Sequence, residues 1–408
     1  MRTLGIAAIV GLMVGCGAAA SPSAKAPEPA GYPASSPSYG GGVPMSAPAA
    51  ASDAMPGMPG TAAATAPASP AAYPPPPPPS APGPAKAASA SASGVAVAPV
   101  PEPREVRPLP QAGQLTAGVW DDNRNFDFWK PYQTHFAESH GSDFAIFSQR
   151  ELGEAHAEAD QPQAARTELD VQLVLDTTGS MGDELRYLQS EFDSIATQVR
   201  TKFPNVTPRW SLVLYRDHGD EYVARPFDFT TDTNRFRTNL KAQSAGGGGD
   251  IPEAVVEGLG AGVRQQWRTQ ANVAKLVFWV ADAPAHPGEG SKLGTVIREA
   301  KQKGIHIYPV ASSDADDAAE YQMRSAAQMT SGRYVFLTND SGIGNSHAEP
   351  HIPCYNVSRL DHAIVRMIQA EMSGRFAPAE PSQVVRSVGR PNKDGKCQLA
   401  SGLLVASS

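Results

Sequence analysis

The sequence has no surplus of positive charge and no cluster of Lys or Arg: 34 basic residues face 41 acidic ones, for a formal net charge of -7. Proteins that hold nucleic acid show a basic patch or stripe, so nucleic acid is a poor partner for this chain. No long hydrophobic run is present at the N-terminus either; the apolar stretch over residues 4–14 is too short to cross a bilayer as a stable helix. The G-x-S-x-G, H-E-x-x-H and Cys/His signatures of hydrolases and zinc enzymes are missing. Between Gly17 and about residue 111, charge and branched aliphatic side chains are scarce, while about two thirds of the 38 prolines fall before residue 112. Such a segment cannot bury enough apolar surface to offset the entropy of ordering it, so residues 17–112 read as a disordered Pro/Ala/Ser-rich linker. Roughly 290 residues remain, enough for one well-cored domain and a small satellite.

What is present begins with an export signal. Arg2 supplies the positive end ahead of the short apolar run. Met13-Val14-Gly15-Cys16 resembles the lipobox of bacterial lipoproteins, with Met13 in the place of the usual Leu, so residues 1–16 are expected to form a signal peptide ending at a lipidated Cys16. In lipoproteins of this kind a Gly after the Cys, here Gly17, implies the outer membrane; cleavage after Ala20, giving a secreted protein, is the alternative. Export implies an oxidising compartment, and the two remaining cysteines, Cys354 and Cys397, pair most simply as a disulfide, the alternative being two buried thiols.

Residues 113–167 form an aromatic-rich accessory segment, with Trp120, Phe126, Phe128, Trp129, Tyr132 and Phe136 close together. The segment is too small for its own core and should pack on the main domain. Its acidic run, Asp121 to Asn125, fails the calcium-loop pattern because Phe126 stands where the turn needs Gly. From 168 to 372 the pattern alternates. Short apolar runs at 171–175, 210–215, 222–229, 276–280, 305–310 and 334–337 read as strands. Residues Leu185, Leu188, Phe192, Ile195, Val199 and Phe203 recur at helical spacing, and further helical stretches fall near 253–267, 291–303, 315–330 and 356–372. The fold class is α/β, a doubly wound, mostly parallel sheet covered on both faces. A tail, 373–408, follows, tied back if Cys397 pairs. In such sheets ligands bind at the carboxyl ends of the strands.

Three oxygen-bearing loops lie there. Asp176-Thr177-Thr178-Gly179-Ser180 leaves the first strand of that series, offering an Asp and two hydroxyls on one loop. Residues 246–249 are all glycine and precede Asp250-Ile251-Pro252-Glu253; no Lys-Ser/Thr follows, so this is no phosphate loop, and the glycines should supply positive φ angles. Ala281-Asp282 ends another buried strand. Oxygen ligands suit Mg²⁺, Mn²⁺ or Ca²⁺ rather than Zn²⁺. The D-x-T-x-S arrangement with these two further loops resembles the metal-ion-dependent adhesion site of von Willebrand factor A domains, whose second loop here is similar to the D-x-P-E version of integrin β subunits. The resemblance implies a site for Mg²⁺ (or Mn²⁺ or Ca²⁺) made by Asp176, Thr178, Ser180, Asp250, Glu253 and Asp282. It implies Asp217 as a ligand of a second cation, with Asp250, Glu253 and the Pro252 carbonyl, although Gly248 stands where integrins have Asn. Asp183 and Glu184 fall where integrins place adjacent-site ligands; acids in the first turn of a helix are the favoured reading of that pair. His286 reads as a loop histidine engaged in a hydrogen bond.

The expected function is cation-dependent protein binding by a membrane-anchored lipoprotein, without catalysis. The partner would present an Asp or Glu carboxylate. A cation-stabilised envelope scaffold is one alternative. A metal-dependent hydrolase, with Glu253 or His286 as base, is the other.

Overall fold

The computed structural model describes residues 115–408, apart from 250 and 349. Cys16 and the Pro-rich stretch lie outside them. The first strand, β1 (Thr116–Trp120), has every side chain buried. It ends in the acidic run, which is a turn: Asp121 accepts the backbone N–H of Arg124 at 3.2 Å, and Asn125 Nδ2 donates to the Asp121 carbonyl at 3.0 Å. Helices α1 (Phe126–His140) and α2 (Gln149–Ala159) follow. α2 starts at a capping box in which Ser148 and Glu151 exchange hydrogen bonds, a device that contributes about 1 kcal/mol.

Next come β2 (Glu168–Asp176), α3 (Gly182–Lys202), β3 (Arg209–Tyr215), β4 (Ala224–Thr230), α4 (Thr233–Lys241) and α5 (Val255–Val263). The chain continues through β5 (Val273–Ala281), α6 (Gly290–Gln302), β6 (His306–Ala311), α7 (Asp317–Met329) and β7 (Tyr334–Thr338). It closes with β8 (Tyr355–Arg359), α8 (Leu360–Ser373), β9 (Val384–Val388) and a small hairpin of β10 (Lys396–Gln398) and β11 (Leu404–Ala406).

Nine strands make one sheet in the order β4-β3-β2-β5-β6-β7-β1-β8-β9. β2 sits between β3 and β5, and the pairings from β3 through to β7 are parallel. β4, β1 and β9 run against them. The sheet is therefore mixed, with most strands pointing one way and helices on both faces. Side chains alternate between the two cores as a two-residue period requires. Val174, Val277 and Trp279 face the core covered by α1, α2, α5, α6 and α7, and Leu173, Leu175, Leu276 and Phe278 face the one covered by α3, α4 and α8. The helical spacing from Leu185 to Val199 places all five of those residues on the buried face of α3. Among the described residues no helix is long and apolar enough to cross a membrane.

Within 168–372 two stretches differ most from the sequence reading. Residues 355–359 form a strand, not the start of the closing helix. Tyr355 and Val357 point inward while Asn356 is half-exposed, an alternation that suits an antiparallel partner, and β8 pairs with both β1 and β9. Helix α4 has only Phe236 and Leu240 buried, too weak a periodicity to register as a helix in so polar a segment.

The aromatic segment is integral to the sheet, because β1 inserts between β7 and β8. Its helices are pinned to α7 by a buried charge network. Arg324, fully buried, donates to both oxygens of Asp122 at 2.7 and 3.1 Å and to Glu320 at 2.8 Å, and lies 3.9 Å from the centre of the Trp129 ring. Trp129 Nε1 donates to Gln328 at 2.7 Å. Cys354 and Cys397 are joined in a disulfide with Cα atoms 6.0 Å apart, closing a sequence separation of 43 residues. In the chain-entropy model a loop of that length contributes about 4 kcal/mol.

Candidate metal centre

β2 delivers Asp176 to the carboxyl end of the sheet, where it is 1% exposed. Its Oδ1 accepts the backbone N–H of Thr178 at 2.9 Å and the Thr178 hydroxyl at 2.7 Å, so the loop closes on its own carboxylate. The turn Gly179–Met181 then carries exposed Ser180, whose side chain hydrogen-bonds Asp282 at the end of β5. The glycine loop is laced to the first loop from two sides. Gly246 N–H donates to the Thr177 carbonyl at 3.0 Å, and Gly179 N–H donates to the Gly247 carbonyl at 3.2 Å. Gly247, Gly248 and Gly249 have φ of 78°, 68° and 154°, a backbone that only glycine adopts without strain. A Cβ on Gly248 would stand 3.1 Å from Thr178 Cβ and 3.2 Å from Glu253 Oε1, which shows how closely the two loops approach.

Glu253, 4% exposed, is held by its own backbone: its N–H donates to the Pro284 carbonyl at 3.1 Å, in a parallel bridge with Ala285. The loop after β5 therefore positions both Asp282 and Glu253. Asp250 lies outside the described residues. Of the expected ligands, Asp176, Thr178, Ser180, Glu253 and Asp282 come together at one end of the sheet.

Their electrostatics are unbalanced. Burial, and then the nearby Asp282 charge, push the Asp176 carboxyl up to about 7. Burial, followed by the charges of Asp176, Asp217 and Asp282, pushes Glu253 up to about 8. Asp282 is raised as well, chiefly by burial. Among the described residues no Lys or Arg forms a salt bridge with any of the three. Among the described residues, Asp176 Oδ2 and Glu253 Oε2 are buried without a close hydrogen-bond partner, and the Tyr215 side chain is the further polar group that steadies the Asp176 carboxylate. A buried, unpaired carboxylate oxygen is unfavourable unless a proton or a cation neutralises it. The donors are all oxygens, which fits a hard divalent ion.

The neighbouring residues make further contacts. Asp183 pairs with Arg186 on the first turn of α3, whereas Glu184 turns inward and accepts the Ser313 hydroxyl at 2.6 Å and the Ser313 N–H at 3.2 Å. Asp217 contacts His286, whose Nε2 is 2.5 Å from Asp217 Oδ1, so His286 is a hydrogen-bonding loop residue. Two contributors escaped the sequence reading. Asp220 Oδ2 accepts the N–H groups of Asp217 at 3.1 Å and Gly248 at 2.9 Å, tying the β3 loop to the glycine loop. His218 stacks on His286 with ring centres 5.0 Å apart. The run Asp217-His218-Gly219-Asp220, directly after a buried strand, was the available signal.

Comparison with known proteins places these loops. Residues 170–345 match the von Willebrand factor A domain. Among curated proteins, an ariadne-like RING finger protein of Acanthamoeba polyphaga mimivirus is 24% identical over 194 residues, covering 41% of this chain and 18% of that protein. The alpha-protein kinase vwkA of Dictyostelium discoideum is 27% identical over 122 residues, covering 30% of this chain and 19% of the kinase. The chain thus spans about a fifth of the length of these relatives. Similar solved structures include BatB of Bacteroides thetaiotaomicron, 14% identical with TM-score 0.35 over 50% of this chain and 98% of that one. The pilus adhesin SpaC of Lactobacillus rhamnosus GG is 12% identical with TM-score 0.31 over 42% of this chain and 28% of the adhesin.

Proposed function

We propose that this protein, which carries a von Willebrand factor A domain over residues 170–345, binds a protein partner through a hard divalent cation and performs no catalysis. One observation carries the reading. Three buried carboxylates, Asp176, Glu253 and Asp282, converge with the hydroxyls of Thr178 and Ser180, and among the described residues no cationic side chain is paired with them. Asp176 and Asp282 would hold the ion together with Thr178, Ser180, Glu253 and Asp250. Mg²⁺ is the favoured ion, with Mn²⁺ or Ca²⁺ able to replace it; such an ion keeps water in its open positions, and an Asp or Glu carboxylate of a partner can take the place of one. Thr178 contributes a hydroxyl and, by donating to Asp176, aims the carboxylate. Ile251, two positions before Glu253 and 62% exposed, offers apolar surface to a partner.

Catalysis would need a base or nucleophile free beside the ion. His286 is engaged with Asp217, which supports a binding role. Attachment to a bacterial outer membrane through a lipid on Cys16 belongs to the same reading, with residues 17–112 as tether; intact-mass analysis of the processed protein checks it.

The test is partner capture from envelope extract by the wild type and Thr178→Ala at matched folded concentration, in Mg²⁺ and in chelator. Capture should need Mg²⁺ and fall at least about tenfold in the variant, or roughly 1.4 kcal/mol. Equal capture in all conditions would leave a scaffold role and end the adhesion reading.

A further inference from the structure

Beside the oxygen-lined cluster lies a second one of different chemistry. Asp217 and His218 follow the end of β3, and His286 comes from the loop after β5. His286 Nε2 is 2.5 Å from Asp217 Oδ1, and His218 Nδ1 is 3.9 Å from the same oxygen. One donor atom from each residue lies within 4.8 Å of the other two. Asp217 is buried, while the His218 side chain is 49% exposed, so the cluster has a route to solvent.

The histidine is oriented from its far side. His218 Nε2 faces Glu257 Oε1 at 3.3 Å. With its proton on Nε2, donated to Glu257, the ring presents an unprotonated Nδ1 toward Asp217 and His286. A carboxylate behind a histidine in this way fixes the tautomer and raises the basicity of the nitrogen in front. Asp217 is held in turn through its backbone N–H, which donates to Asp220 at 3.1 Å.

We propose that Asp217, His218 Nδ1 and His286 Nε2 form a binding site for a borderline transition-metal ion, Zn²⁺ in preference to Mg²⁺ or Ca²⁺, with Glu257 as the residue that positions His218. Tetrahedral Zn²⁺ with bonds of about 2.0–2.1 Å sets its donors about 3.3 Å apart. The two spans of 2.5 and 3.9 Å lie on either side of that value and the third is within 4.8 Å, so an ion entering here would take the place of the His286–Asp217 hydrogen bond as the side chains rotate around it. Three protein donors leave one position open to solvent or to a ligand. Imidazole nitrogens favour Zn²⁺ and its neighbours in the transition series, and they discriminate against the ions that carboxylates and hydroxyls hold. The two clusters therefore sort cations by donor type. A second grouping, Asp317, Glu320 and His351, does not compete: Glu320 is bound to Arg324 at 2.8 Å, and the guanidinium repels a cation.

The full chain, kept in excess Mg²⁺ so that hard sites are filled, is titrated with Zn²⁺ by calorimetry and with Co²⁺ by visible absorption. The expected result is one Zn²⁺ per chain and the intense d–d bands of tetrahedral Co²⁺. His218→Ala and His286→Ala should each weaken Zn²⁺ at least about 100-fold, and Glu257→Gln by about 10–100-fold. The Mg²⁺-dependent rise in melting temperature should persist in His218→Ala, which reports that the fold and the oxygen site are intact. His218 is half-exposed, so this variant decides the question even where His286→Ala is unstable. No Zn²⁺ binding by the wild type, or binding unchanged by His218→Ala, overturns the proposal.

Discussion

Two of the clusters of buried charge among the described residues are built on opposite plans. Around Arg324 the account is closed: one guanidinium meets Asp122 and Glu320, each hydrogen-bonded to it, with an aromatic face alongside. Burial raises Asp122, yet the nearby guanidinium pulls it back. At the ends of β2 and β5 the account is open. Asp176, Glu253 and Asp282 are as deeply placed, and the charges that act on them are those of other carboxylates, one another's and those of Asp217, Asp220 and Asp314. A fold tolerates buried carboxylates when it supplies the counter-charge itself, as the first cluster does, or when a ligand supplies it. The first cluster fastens the aromatic segment to α7; in the second, no Lys or Arg among the described residues supplies the counter-charge.

The largest effect should come from breaking the closed cluster. Arg324→Met strands two carboxylates in the core and should cost about 3–5 kcal/mol, the usual result of removing one partner of a buried ion pair. Urea denaturation measures it. A loss below about 1 kcal/mol would mean that the network is not a fastening.

A smaller and oppositely informative effect concerns pH. Asp176 and Glu253 have pKa values raised on folding to about 7 and about 8. For acids raised in this way the folded state binds more protons than the unfolded one, so stability is greatest at low pH. It should fall, by a few kcal/mol at most, as pH rises from about 4 through 8 in chelator. Saturating Mg²⁺ should flatten that decline, because the ion replaces the protons. Denaturation midpoints at pH 5, 6, 7 and 8, with and without Mg²⁺, test the difference. Parallel pH dependences under both conditions would separate the carboxylates from the ion.

The open cluster was the more legible of the two in the sequence. Asp176 and Asp282 each stand directly after a continuous apolar run, Thr178 and Ser180 follow at alternate positions, and Glu253 follows a glycine run. Strand ends and loop composition are local properties, so this placement could be read from short windows. The closed cluster joins Asp122 to Arg324 across 202 positions, and nothing local announces such a pairing. For the same reason β1 went unread as a strand. Its partners, Thr338 and Arg359, are more than 200 residues away, and five buried residues carry no periodicity of their own. The contact of Asp217 with His286 likewise depends on the loops after β3 and β5 meeting.

The most direct test of the central claim is the Mg²⁺ dependence of stability in the wild type and in Asp176→Ala. Binding to the native state alone adds RT ln(1 + [L]/Kd), about 2.7 kcal/mol at a hundredfold excess over Kd. The wild type should gain roughly that amount over its chelator-treated form, and Asp176→Ala should gain nothing. Identical unfolding curves for the wild type in Mg²⁺ and in chelator would contradict the reading of this cluster as a cation site.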